Sequence, residues 1–132
     1  MASVDTLPEL LRPLMAGTSV TMNRCAICGR RWPLNQHHVV RRGAGKVWRG
    51  GVEVPKPTIT LCGSGNASGC HGLAHANRLH FRWVENRHPA QAYAAPTVPG
   101  GHWEWLLTDE PTPYAEALGM DGWRKLPGRR TA

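Results

Sequence analysis

The chain has 132 residues, a length that suggests one domain with a modest core. Its 16 Lys and Arg outweigh 9 Asp and Glu, for a formal net charge of +7, which points to a polyanionic partner unless the charge serves solubility alone. No apolar run approaches the roughly 20 residues of a membrane span, so a helical membrane protein is excluded.

The first residues, MASVDTLPELLRPLM, lack a basic head, and Glu9, Arg12 and Pro13 break their apolar part, unlike a secretory signal. The expected compartment is therefore the cytoplasm, where thiols stay reduced. Thr6-Leu7-Pro8-Glu9 reads as a capping box, and Leu7, Leu10, Leu11, Leu14 and Met15 follow with helical spacing. The pattern predicts a helix over about 6–16, ended early by Pro13. Residues 17–24 are polar and lean towards β-structure. Cys25-Ala26-Ile27-Cys28-Gly29 is a knuckle in which two thiolates can converge. Arg30, Arg31, Trp32, Pro33 and Leu34 lead into a strand expected from Gln36 to Arg41.

Gly43, Gly45, Gly50 and Gly51 flank Lys46, Trp48 and Arg49 in a glycine-rich basic loop, and Val52 and Val54 extend a hairpin. The β-branched run from Pro57 to Leu61 predicts a second strand. A small flexible loop, 63–69, precedes a short helix over about 70–78. Leu79 to Val84 alternates as a strand, and Gly101 to Leu107 is its expected partner. Residues 86–101 read as loop. Thr112-Pro113 opens a short helix that Gly119 closes, and the tail beyond Trp123 is basic. Six Trp against one Phe imply that indoles fill much of the core, each burying on the order of 200 Å².

Chemistry concentrates in the cysteines and histidines. Cys25 and Cys28 form a CxxC pair, and Cys62 and Cys70 a wider one. In a reducing compartment, four thiolates from two loops favour a tetrahedral structural zinc site over disulfides, a redox pair or buried free thiols. That leaves the histidines free. His71 and His75 lie four residues apart, one helical turn on one face, and can share a second metal ion. His37 and His38 are adjacent, and strand neighbours point to opposite faces. One of them can join His71 and His75 on the metal while the other addresses a water. A divalent ion plus a general base is what metal-assisted phosphodiester hydrolysis requires. The competing structural reading makes His75 a surface residue and His71 a further zinc ligand. His80, His88 and His102 read as structural or solvated. Arg41, Arg42, Lys46 and Arg49 lie beside the doublet and suit DNA phosphates, with a solvated loop as the alternative. Trp48 suits stacking on a base or packing; Trp83, Trp103 and Trp105 alternate as packed strand residues.

Taken in order, CxxC, HH, a glycine-rich loop, ITLC, CH and HxxxH resemble the HNH endonuclease family. The narrower likeness is to small zinc-stapled HNH proteins of phages and prophages, and it covers about residues 24–78. The resemblance implies an α+β fold. Its core is a small ββα-metal (His-Me finger) unit stapled by a four-cysteine zinc site, within a single domain 1–132. An N-terminal helix and a C-terminal extension, 79–132, complete it. Carried over by position, His38 is the general base, and His37, His71 and His75 hold a catalytic Mg²⁺, Mn²⁺, Ni²⁺ or Zn²⁺. The implied activity is metal-dependent DNA endonuclease, leaving a 5′-phosphate and a 3′-hydroxyl, in the cytoplasm of a bacterial host. The implied partners are DNA and a terminase or another phage packaging protein, without a membrane. Two departures stand out. Pro57 occupies the position of the family's middle Asn, for which Asn66 is a stand-in at the wrong spacing. The gap from Cys62 to Cys70 is also longer, as a surface insertion would make it. Pro57 favours the alternative of a zinc-stapled nucleic-acid-binding module that has lost catalysis, and a structural or adaptor zinc protein is the third reading.

Overall fold

The computed structural model describes Ala2–Ser3, Leu14 and residues 17–40, 47–49, 51–54, 56–85 and 100–126. In chain order the elements are β1 (Ala2–Ser3), β2 (Leu34–His38), β3 (Val47–Arg49), β4 (Val52–Val54), β5 (Thr58–Cys62), α1 (Gly69–His75), β6 (Leu79–Glu85), β7 (Gly101–Leu107), α2 (Tyr114–Leu118) and β8 (Arg124–Lys125).

The run TITLC makes β5 because alternate β-branched and apolar side chains fit a pleated surface covered on both sides. Ile59 and Leu61 are fully buried. β2 pairs with β5 antiparallel, setting His37 opposite Ile59 and His38 opposite Thr58. On the other edge of β5, Val20 bridges to Ile59, receiving the Thr60 N–H at 3.0 Å and donating its own N–H to Thr58 O at 2.8 Å. The polar segment 17–24 thus finds backbone partners here, as its composition suggested. Gln36 of β2 links both neighbours through Nε2, which donates to Val20 O at 3.2 Å and to Thr58 Oγ1 of β5 at 3.1 Å.

β6 and β7 form the second large ladder, in register from Leu79–Leu107 to Glu85–Gly101, with β8 added on β7. Trp83 and Trp103 meet edge-on across it at 5.5 Å. Trp103 is buried and its Nε1 donates to Thr18 O at 2.6 Å, tying this ladder to the segment beside β5. Leu79, Phe81 and Trp103 belong to the same apolar core as Ile59, Leu61 and Leu14. Residues 79–85 and 100–126 are therefore part of the body that supports the histidines, and Tyr114 of α2 closes it by donating to Phe81 O at 2.6 Å. β3 and β4 make the hairpin expected around Val52 and Val54, and β1 pairs with β3 in parallel.

The result is a small α+β protein. Some expected boundaries move. β2 runs from Leu34 to His38, not Gln36 to Arg41, so the histidine doublet ends the strand instead of sitting within it. α1 stops at His75, short of 78, because Asn77 takes a left-handed conformation (φ 59°), which Asn tolerates and which reverses the chain into β6. α2 follows Pro113 and ends at Gly119 as expected. The helix expected over 6–16 lies outside the described residues except for Leu14. Among the described residues, no helix is long and apolar enough to cross a membrane.

Candidate metal centre

Four thiols and three imidazoles gather in two separate clusters around the β2–β5–α1 unit. The thiols come from two places. In the knuckle, Gly29 N–H donates to Cys25 O at 3.0 Å, folding Cys25 and Cys28 to one side, and Ala26 N–H fastens the turn to Thr60 O of β5 at 3.0 Å. Cys62 ends β5 and Cys70 opens α1. All four Sγ atoms lie within 4.8 Å of one another. No disulfide joins the four cysteines, and Cys28 and Cys62 Sγ stand 3.5 Å apart. Two sulfurs bound tetrahedrally at about 2.3 Å to one zinc would be about 3.8 Å apart, so this spacing is close to that of shared ligation.

The charges agree. Cys25 is pushed down to about 4, chiefly because the Cys70 thiol donates to it, while the Cys70 thiol is pushed up by the same bond and by burial. Burial also pushes Cys62 up. Thiols this close cannot all ionise without a cation between them. Backbone N–H groups of Ile27 and Cys70 approach Cys25 and Cys62 Sγ at 3.4 Å each and stabilise sulfur anions. This cluster can hold a metal ion such as zinc.

The imidazoles meet where α1 faces β2. His71 and His75, one turn apart, place their Nε2 atoms 3.2 Å apart. Two nitrogens bound tetrahedrally at about 2.0–2.1 Å to one ion would be about 3.3–3.4 Å apart. His71 Nδ1 lies 2.9 Å from Gly65 O. A carbonyl only accepts, so Nδ1 carries the proton and Nε2 presents its lone pair to His75. From β2, the His37 ring stands edge-on to both, with centroids 5.1 and 5.5 Å away. One ligand nitrogen of each ring lies within 4.8 Å of the others. Burial, with the neighbouring imidazoles adding to it, pushes His37 down to about 3, and burial lowers His71. These rings stay neutral, as a ligand must. Of the doublet's two members, His37 is the one that joins His71 and His75.

His38 has the opposite strand parity, but it is the last residue of β2 and lines the same cavity as the three rings. That cavity measures about 820 Å³, and its wall includes His38, Asn66, His75 and Tyr114. Pro57 is buried, and its carbonyl accepts the Val39 N–H at 3.3 Å, one residue beyond His38. A backbone hydrogen bond thus secures this corner. Asn66 is exposed on the cavity wall, in the loop between Cys62 and Cys70.

Arg41, Arg42, Lys46 and His88 lie outside the described residues, and of Arg49 only its backbone, in β3, is described. His102 is structural, with Nε2 3.2 Å from Glu104 Oε2. His80 is buried and also lines the cavity, where burial lowers its pKa. The Gly65 carbonyl that orients His71 left no trace in the sequence, since any residue supplies a carbonyl. Tyr114 was equally hidden, because only the tertiary fold brings α2 to the cavity. Compared with family models, curated proteins and solved structures, the chain matches none.

Proposed function

We propose that this chain is a divalent-metal-dependent DNA endonuclease of the HNH type, with a ββα-metal core stapled by zinc. The observation that carries the reading is the convergence of His37, from a strand, with His71 and His75, from a helix, on a cavity that His38 also lines. A purely structural zinc protein has no physical need for a second set of three imidazoles gathered beside an open cavity. His71 and His37 are held neutral by burial, and the 3.2 Å nitrogen spacing fits a bound ion, so the residues suit a divalent cation. Such an ion supplies Lewis-acid stabilisation of charge on the phosphate and the leaving oxygen.

The remaining work falls to the chain. His38 accepts a proton from water as the water oxygen bonds to phosphorus. The bond from phosphorus to the 3′-oxygen breaks, that oxygen takes a proton from solvent water to leave as a hydroxyl, and His38 returns its proton to solvent. Gly65 and the α1 backbone keep His71 aimed. The Pro57 carbonyl fixes the chain just past His38, in place of the side-chain amide that HNH proteins use there. Arg41, Arg42, Lys46 and Arg49 are the proposed phosphate contacts, and a phage packaging protein such as a terminase is the proposed partner.

The test is nicking of supercoiled plasmid with Mg²⁺, Mn²⁺, Ni²⁺ or Zn²⁺, compared with a His38→Ala chain. Metal-dependent nicking that falls by about 10²- to 10⁴-fold in the variant is expected. The second reading, a binding module without catalysis, is favoured by Pro57 and would show as DNA retention with no cleavage under any of these ions.

A further inference from the structure

Tryptophan in a small protein is ordinarily a packing residue. Trp103 is buried here, and Trp83, Trp105 and Trp123 are partly covered. Trp32 departs from this, with 81% of its surface exposed. Arg30 and Arg31, just before it, are also exposed. Ion pairs join Arg82 and His102 to Glu104, and these two arginines take part in neither.

The segment is held at both ends. Arg30 O accepts the Cys25 N–H at 2.8 Å, and Pro33 O accepts the Gly63 N–H at 3.0 Å. Cys25 belongs to the thiol cluster and Gly63 follows another of its members, so the thiol scaffold anchors both ends of Arg30–Pro33. Display on a fixed frame lowers the ordering cost of binding.

The charge pattern says what the frame faces. Residues 10–52 contain eight of the 16 Lys and Arg and none of the 9 Asp and Glu, whereas six of those nine acids fall between 85 and 121. A stretch of sequence this rich in cations and free of acids favours a polyanion. An acidic peptide would satisfy the guanidinium groups but leave the indole without a flat partner. A nucleic acid satisfies both, with phosphates on the arginines and a base against the ring.

We infer that Arg30, Arg31 and Trp32 form a nucleic-acid contact separate from the histidine cavity, taking an unpaired base on Trp32 and its flanking phosphates on the two arginines. β2 separates this contact from His38 by about five residues at roughly 3.3 Å each, a span of a few nucleotides. The contact does not require the chain to cleave anything.

The test is fluorescence anisotropy of a labelled single strand, of a duplex of equal length and of an acidic polypeptide, using a His38→Ala chain so that the strand stays whole. Trp32→Ala should weaken single-strand binding by about 5- to 150-fold, with Trp32→Phe recovering most of it. Replacing both arginines by Ala should reduce the slope of log K against log salt by about 1.4 for the single strand. Zinc content measured on each variant verifies that the scaffold is kept. Unchanged affinity in Trp32→Ala overturns the inference, as does a loss that Trp32→Phe fails to rescue in a zinc-loaded chain. Equally tight, Trp32-dependent binding of the acidic polypeptide overturns it in favour of a protein partner. If the parent chain never nicks plasmid while the Trp32 dependence holds, the hydrolase reading fails and this one stands.

Discussion

A buried histidine that must stay uncharged makes folding sensitive to acid, and His37 is such a residue. Its folded pKa, near 3, lies below the ordinary value of 6.5 because burial and its imidazole neighbours oppose its charge. Between those values the unfolded chain binds a proton that the folded chain refuses, so stability rises with pH and is lost as pH falls from about 6.5 towards 3. At pH 5, this residue alone accounts for about 2 kcal/mol of that loss. His71 and His80 shift in the same direction through burial. Urea unfolding at pH 7 and pH 5, without added divalent ion, should show the loss, and a His37→Asn chain should show less of it. Equal pH dependence in the two chains would contradict the burial argument. The donor set also predicts a metal preference. Three imidazole nitrogens suit Ni²⁺ or Zn²⁺ better than Mg²⁺, which favours oxygen ligands, so isothermal titration should rank Mg²⁺ weakest.

At the scale of elements, the turn from β5 into α1 decides whether the histidines meet β2 at the right angle. Gly63 adopts φ +138°, and a Cβ there would run into the Ser68 carbonyl. Gly65 also has positive φ, +66°, but a Cβ there meets open space. Gly65→Ala should therefore cost only about 1 kcal/mol, the left-handed strain of a non-glycine residue, while Gly63→Ala should cost about 3 kcal/mol or more by forcing backbone apart. Denaturant midpoints of the two variants measure the contrast, and similar values would show that the turn relaxes freely. Much at this scale was legible from residues alone. The four-residue step from His71 to His75 gave a shared helix face, and PTITL gave a strand, although not its burial. Boundaries were less legible. His37 and His38 looked like mid-strand neighbours, and only the pairing with β5 showed that the strand ends at His38, where the parity rule relaxes.

Across the whole molecule, the segment after His75 forms a structural wall of the site. Phe81, Trp103 and Tyr114 brace the same core and cavity that hold the imidazoles. The sequence could show that 79–84 and 101–107 alternate, but not that their apolar face would close over α1, because that depends on contacts between distant residues. The aromatic count pointed to a core filled by indoles, and that holds only in part: among the described residues Trp103 alone is buried, Trp83, Trp105 and Trp123 are partly covered, Trp32 is exposed, and the rest of the core is chiefly aliphatic.

One loop joins the two clusters. Its ends are Cys62 and Cys70, and the carbonyl near its centre, on Gly65, orients His71. If the thiols take up an ion first, the loop they fix would hold the Gly65 carbonyl against His71 before a cation reached the imidazoles, and sequential occupancy is expected. Titrating the metal-free chain with Co²⁺ should bring up the sulfur-to-metal absorption to completion before imidazole signals shift in the proton spectrum. Mild oxidation of the thiols should then silence the histidine end without touching it, and simultaneous filling of both would show that the loop carries no such message.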